Sequence, residues 1–174
     1  MSRILTAVAA AVTTGLAATA ALAHATFENR EVVQNSTVRM VTRIPHGCEG
    51  EPTLRVRVAI PEGIIAVKPM PKAGWELEIV RGPYEQSYTL WGSEVSEGVK
   101  ELIWSGELLD EHYDEFIWRG RFTDALPAGE MLYIPVVQEC ASAAERWIEI
   151  PAEGQSSRDL PYPAPGVMVV PAAN

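Results

Sequence analysis

The sequence predicts an all-β fold, an antiparallel immunoglobulin/cupredoxin-like β-sandwich, preceded by a cleaved signal peptide. Short segments beyond residue 23 alternate apolar and polar side chains with a period of two, which is the pattern of half-buried strands. Turns that contain Pro or Gly separate these segments at intervals of about 8–14 residues, as in sandwich domains. Beyond the leader, no segment has the sustained apolar spacing of an amphipathic helix.

The predicted strands follow one another along the chain, and turn residues mark where several of them end. Residues 37–44 and 54–60 alternate clearly and stop at Pro45-His46-Gly47 and Pro61-Glu62-Gly63. We expect Gly82-Pro83 to turn the chain after a third alternating segment, residues 75–80. The other predicted strands are residues 64–67, 87–91, 99–104, 113–122, 131–138, 147–150 and 167–170, with a surface loop at 151–166.

The first 23 residues have the composition of a secretory signal peptide. Arg3 supplies a positive start, residues 4–22 form an apolar run rich in Ala, and Ala21-Leu22-Ala23 is an A-x-A cleavage box. Cleavage after Ala23 would make His24 the first residue of the mature protein. No later segment has the length and hydrophobicity of a membrane span. We therefore expect a periplasmic or secreted protein with no stable span after processing.

Length and composition predict two parts, a signal peptide at 1–23 and a single domain at 24–174. The formal net charge is −9 at pH 7, which argues against nucleic acid and anionic membrane surfaces as partners. The two cysteines, Cys48 and Cys140, are an even number in an exported chain, and their neighbours do not form a metal-binding pattern. We expect them to form one disulfide.

His24 would carry two nitrogen donors at the mature N-terminus, its α-amine and its imidazole. An α-amine has a pKa of about 7.7–8.0 and an imidazole of about 6.5, so a metal can displace the proton from both near neutral pH. Nitrogen pairs of this kind suit Cu(II) or Ni(II), which favour tetragonal N/O coordination. The methionines show no Met-x-x-Met spacing, so we expect Cu(I) to bind less well than Cu(II).

One residue supplies at most two ligands, so a further donor must come from elsewhere in the chain. The acidic segment 110–116 is the richest source, and on an extended backbone Glu111 and Glu115 share one face. The same residues also fit a solvated acidic turn followed by a strand. His112 lies out of phase with the two glutamates, and His46 lies in a turn where a histidine is usually exposed.

The order of short motifs along the mature chain resembles the YcnI-like (DUF1775) domain of bacterial copper proteins. These motifs span essentially the whole of 24–174. They are His24-Ala25-Thr26, Arg43-Ile44-Pro45-His46-Gly47-Cys48, Ile60-Pro61-Glu62-Gly63, Pro71-Lys72-Ala73-Gly74-Trp75, Ile103-Trp104-Ser105-Gly106, Tyr113-Asp114-Glu115-Phe116, Pro135-Val136-Val137-Gln138-Glu139-Cys140, Trp147 and Ala164-Pro165.

The resemblance implies a β-sandwich that binds Cu2+ through a monohistidine brace. In such a site the amine and imidazole of His24 join a glutamate, with a tryptophan nearby. Trp147 matches the tryptophan, and Glu115 is the favoured glutamate because it lies within the matching Tyr-Asp-Glu-Phe motif. Glu111 is the second choice. The implied role is copper trafficking or homeostasis, with other periplasmic or membrane copper-handling proteins as partners.

Two other function classes stay open at this point. A copper-dependent oxidase or monooxygenase would need a second histidine ligand, and only His46 and His112 are available. A metal-free exported structural sandwich would use none of these residues. The sequence lacks the hydrolase nucleophile elbow, the phosphate-binding loops and the dinucleotide fingerprint, so we expect a protein that is not an enzyme.

Overall fold

The computed structural model describes residues 24–173, so the predicted signal peptide and its cleavage site lie outside the described residues. Within that range the regular structure is extended apart from one short 3-10 helix, Ser157–Asp159. This confirms the all-β class. The strands are β1 Thr26–Phe27, β2 Glu31–Val33, β3 Ser36–Ile44, β4 Thr53–Ala59, β5 Ile64–Pro69, β6 Glu76–Leu90, β7 Ser93–Leu108, β8 Asp114–Phe122, β9 Met131–Tyr133, β10 Val136–Glu139, β11 Ala144–Trp147 and β12 Gly166–Val170.

Two antiparallel sheets form the sandwich, and a small third sheet lies beside them. The first sheet has the order β1-β3-β8-β5 and the second the order β11-β10-β4-β7-β6. The third has the order β2-β12-β9, in which β12 runs parallel to β2 and antiparallel to β9. Buried side chains from all three sheets belong to one hydrophobic core.

The alternating pattern of the sequence explains which side chains enter this core. In β8, Phe116, Trp118 and Phe122 are buried, whereas the residues between them are partly or largely exposed apart from Gly120. Trp104 of β7 packs against Phe116 with ring centroids 5.6 Å apart, which joins the two large sheets. Burial of such rings is the main source of stability for a sandwich. Trp104 itself is fully buried.

The hairpin of β6 and β7 is longer than the sequence pattern predicts. Gly82-Pro83 does not turn the chain, because β6 is an edge strand and continues through the proline with a shift in register. The turn lies instead at Trp91-Gly92, where both residues have positive φ values of 49° and 83°. Two left-handed residues are the geometry of a tight hairpin turn, in which Trp is an unusual choice.

The segment predicted as one strand at 131–138 is two strands in different sheets. Met131–Tyr133 pairs with β12 in the small sheet, whereas Val136–Glu139 pairs with β4 and β11 in the large one. The break falls at Pro135, which has no N–H to donate to a ladder. This crossing brings the small sheet next to the end of the sandwich that carries β11.

The predicted disulfide between Cys48 and Cys140 is present, with a Cα–Cα distance of 6.1 Å. It ties the β3–β4 loop to the end of β10. Backbone bonds between Cys48 and Glu51 close that loop, and Glu51 also accepts hydrogen bonds from the backbone N–H and the hydroxyl of Ser142. Among residues 24–173, no helix is long and apolar enough to cross a membrane.

Candidate metal centre

His24 stands immediately before the first sheet and is held there by its neighbours. Ala25 is buried in the core, and Thr26 of β1 pairs with Arg43 of β3. Arg43 in turn pairs with Glu115 of β8. The local sequence explains this placement, because Ala25 and Phe27 point into the core and leave Thr26 exposed between them. His24 is itself half-buried.

The imidazole of His24 packs edge-to-face against the indole of Trp147. Their ring centroids lie 5.0 Å apart and their planes meet at 81°. Trp147 is the last residue of β11, pairs with Val136 of β10, and is only 1% exposed. Tyr162 covers another part of the same indole, with centroids 5.5 Å apart. Residues that are 123 positions apart in the sequence are therefore in direct contact.

Two polar atoms at this contact lack a hydrogen-bond partner within the described chain. They are Nε2 of His24 and Nε1 of Trp147, and both are buried. Buried polar groups without partners are uncommon in proteins and call for an explanation at each position. A metal bound through Nδ1 leaves the proton of a neutral imidazole on Nε2, directed away from the metal. The orphaned Nε2 is compatible with coordination through Nδ1 but does not itself require a metal.

Glu115 is already engaged by other side chains. The hydroxyl of Tyr113 donates a hydrogen bond to it, and Nε of Arg43 lies 3.5 Å from its carboxylate. Arg43 also makes a 2.6 Å contact to Glu28. Burial and the hydrogen bond to Glu115 raise the pKa of the Tyr113 hydroxyl, so this hydroxyl is protonated near neutral pH. None of these contacts joins Glu115 to His24.

Glu111 and the other two histidines also contact groups other than His24. Glu111 is highly exposed and lies 3.8 Å from Nε2 of His112. Nδ1 of His46 lies 2.6 Å from the carbonyl oxygen of Gly47. Within residues 24–173, no group of three or more His, Cys, Asp or Glu side chains is arranged to hold a metal ion. The carboxylate ligand of the predicted site thus stays a prediction.

The β3–β4 loop that carries His46 is tied to β10 by a buried glutamine. Nε2 of Gln138 donates to the carbonyl oxygen of His46 at 2.6 Å and to the hydroxyl of Thr53 at 2.7 Å. Gln138 is 1% exposed and lies two residues from Val136, which pairs with Trp147. This network and the disulfide hold the loop beside the β10–β11 hairpin that presents Trp147.

His24 borders a surface cavity of about 400 Å³ that sequence reasoning did not find. Its other walls include Arg30, Met131, Tyr133 and Gly166. These residues come from segments far apart in the sequence and share no motif, so only the pairing of β9 with β12 reveals their proximity. The cavity leaves one side of His24 accessible, while Trp147 covers another.

Comparison with known proteins gives a family and a fold. The family model described as "Domain of unknown function (DUF1775)" matches residues 24–169. Four solved chains match, among them an uncharacterized protein from Nocardia farcinica with an immunoglobulin-like fold. That protein is 17% identical, the match covers 84% of this chain and 98% of that one, and the TM-score is 0.61. This likeness confirms the immunoglobulin-like sandwich. No curated protein gives a significant match.

Proposed function

This chain belongs to the DUF1775 family, and from that premise and the geometry around His24 we propose that it is an exported copper-binding protein that serves copper trafficking or homeostasis. Its disulfide is typical of proteins that reside in oxidising compartments outside the cytoplasm. The leader-like composition of residues 1–23 supports the same location. We place the protein in the periplasm or the secreted fraction.

The packing of His24 against Trp147 carries the proposal. Cleavage after Ala23 would give His24 an α-amine, and this amine and Nδ1 of the same residue are the nitrogens that would hold Cu(II). The perpendicular indole holds the imidazole in one orientation, and its burial keeps water from that side of the ring. A ligand that is oriented before the metal arrives loses less conformational entropy on binding.

Glu115 is the proposed oxygen ligand, with Glu111 as the alternative and water completing the coordination shell. The two differ in what binding would cost. Glu115 would exchange its hydrogen bond from Tyr113 and its contact with Arg43 for the metal. Glu111 is solvent-exposed and would give up only its contact with His112. Glu115→Gln and Glu111→Gln, made separately, distinguish the two, because only substitution of the true ligand lowers Cu(II) affinity.

We propose a carrier and not an enzyme. The donors offered at His24 are nitrogen and oxygen, which favour Cu(II) over Cu(I). Reduction by a partner would weaken the hold of this site on the ion and assist its transfer to another periplasmic or membrane copper-handling protein. A copper oxygenase would instead consume oxygen and produce peroxide with ascorbate, and we expect the copper-loaded protein to produce no more peroxide than free Cu(II) does.

The deciding experiment compares the processed protein with a variant that has one alanine added before His24. The extension turns the His24 nitrogen into a peptide amide and moves the primary amine to the added alanine, but it leaves every side chain in place. We expect Cu(II) affinity to fall by about 100-fold or more, since even outer-shell partners contribute about 10–100-fold. A protein with the same alanine added after Asn174 is the matched control and should bind as the wild type does. Equal Cu(II) affinity in all three proteins would refute the proposal.

A further inference from the structure

Two methionines lie side by side on the outer face of the small sheet. Met131 of β9 and Met168 of β12 are directly opposite in the antiparallel register. Val167 and Val169 are buried on the other face, so Met168 and its partner point outward. Met131 is 43% exposed. The two residues are 37 positions apart in the sequence, so they do not form a Met-x-x-Met motif.

The hydrogen-bond pattern of the ladder brings these two side chains close together. The N–H of Val169 donates to the carbonyl oxygen of Glu130 at 2.9 Å, so that neighbouring pair is the hydrogen-bonded one. Pairs alternate along an antiparallel ladder, and Met131 and Met168 therefore occupy a non-hydrogen-bonded position. Side chains at such positions have Cβ atoms about 4.5–5.5 Å apart, which lets two flexible thioethers bind one ion.

The methionine pair adjoins the cavity that His24 borders. Met131 lines this cavity, as do Tyr133 and Gly166, which form the next outward-facing pair along the same two strands. Gly166 makes room for the Met131 side chain, because a Cβ there would lie 2.9 Å from its Sδ. The Met131 thioether therefore lies over Gly166, which also lines the cavity.

We propose that Met131 and Met168 form a binding site for a soft monovalent metal ion, Cu(I), at the cavity shared with His24. Thioether sulfur is a soft, neutral ligand that selects Cu(I) over the divalent ions preferred by nitrogen and oxygen donors. Two charged residues lie nearby. Glu31 of β2 is exposed and pairs with Met168 of β12, while Arg30 borders the cavity. The assignment of copper rests on the proposed function, whereas the preference for a soft ion rests on the two sulfurs alone.

With the methionine pair, one surface of this protein would bind copper in both of its oxidation states. In this proposal the nitrogen donors of His24 hold Cu(II) and the thioethers hold Cu(I), and His24 and Met131 line the same cavity. When a reducing partner donates one electron to Cu(II) at His24, the resulting Cu(I) is held less well by nitrogen and meets the thioethers without leaving the protein surface. The sequence alone predicts the site at His24 but not the one at Met131 and Met168.

Silver(I) is the probe for this site because it matches the charge and softness of Cu(I) and needs no reductant. The experiment follows the methionine methyl signals of the processed protein by NMR as Ag(I) is added. We expect the Met131 and Met168 methyl signals to shift together, with saturation near one equivalent. Met70, which is 50% exposed and directly follows β5 in a different sheet, is the internal control and its signal should stay unchanged.

Leucine substitutions provide the second measurement, since Met and Leu have similar volumes and such exchanges are well tolerated. Met131→Leu with Met168→Leu should lower Ag(I) affinity by about 10–100-fold or more, while Met70→Leu should not change it. If the double variant fails to fold, the methyl shifts of the wild type decide alone. Equal affinity in the double variant, or equal shifts at all exposed methionines, would overturn the proposal.

The same variants separate this site from the proposed function. The alanine extension before His24 should abolish tight Cu(II) binding and leave the Ag(I) shifts of the methionine pair in place. The double leucine variant should show the reverse. Loss of Cu(II) binding by the methionine variant would mean that one mixed site exists and that the thioether site is not separate.

Discussion

Removal of the disulfide is the perturbation whose size the structure defines most directly. Cys48 and Cys140 are separated by 92 positions, so the bond closes most of the domain into one loop. The chain-entropy model gives about 4–5 kcal/mol for a loop of this length. Domains are typically stable by only about 5–15 kcal/mol in total. Replacing both cysteines by alanine should therefore remove a large share of the free energy of unfolding.

Other contacts should keep the double alanine variant folded. Glu51 still bonds to Ser142 across the same two loops, and Gln138 still holds the carbonyl oxygen of His46. The side-chain hydrogen bond from Ser142, followed by its backbone N–H, holds the pKa of the Glu51 carboxyl below its usual range, so Glu51 is charged and accepting at neutral pH. We expect a native fold of reduced stability, with a fall in Tm of about 10–20 °C.

Urea unfolding of the wild type and of the double variant measures the effect. The free energy of unfolding should fall by about 3–5 kcal/mol, and the denaturant slope should rise because the uncrosslinked unfolded chain exposes more surface. Ser142→Ala is the matched control, since it removes one exposed side-chain hydrogen bond at the same contact and should cost much less than loss of the disulfide. A double variant within about 1 kcal/mol of the wild type, with the same slope, would refute the entropic reasoning.

Two further predictions concern Glu62 and Trp147. Glu62 accepts hydrogen bonds from Tyr88 at 2.8 Å and Lys100 at 3.1 Å, and although burial opposes the effect, these bonds hold its pKa below the ordinary value of 4.5. A carboxyl whose folded pKa is lowered contributes stability above pH 4.5, and this contribution is lost as the pH falls through the folded pKa. Glu62→Gln should therefore lower the free energy of unfolding by about 1–3 kcal/mol at pH 7 and by little near pH 2. Unfolding curves at the two pH values check this, and an equal cost at both would contradict it. Cu(II) bound at His24 should quench the adjacent Trp147, so Trp147→Phe should remove most of the copper-induced loss of tryptophan emission, while an unchanged loss would place the ion elsewhere.

The amino-acid order predicted the all-β class and the disulfide pairing, and the family resemblance implied that Trp147 lies near His24. Period-two alternation identifies strands because successive side chains of a strand point to opposite faces. Two cysteines in one chain allow only one intramolecular pairing. The motif order supplied the family, which the match over residues 24–169 confirms. Each of these features is local or is a property of the whole composition.

Strand ends and sheet membership were less predictable from local sequence. Gly82-Pro83 has the signature of a turn, yet β6 runs through it because an edge strand tolerates proline. Residues 131–138 have a continuous strand-like pattern, yet Pro135 divides them between two sheets. These outcomes depend on which strands are neighbours, which a single segment does not encode.

By itself, the sequence determined that His24 is a metal-ligand candidate and that the chain folds into strands, because donor chemistry and side-chain alternation belong to individual residues. Only the tertiary structure decided that Trp147 covers His24, and that Met168 lies beside Met131, which lines the cavity that His24 borders. It also showed that Glu115 is held by Tyr113 and Arg43. The physical reason is that strand pairing brings together residues that are tens of positions apart, and its register is set by the packing of the whole core.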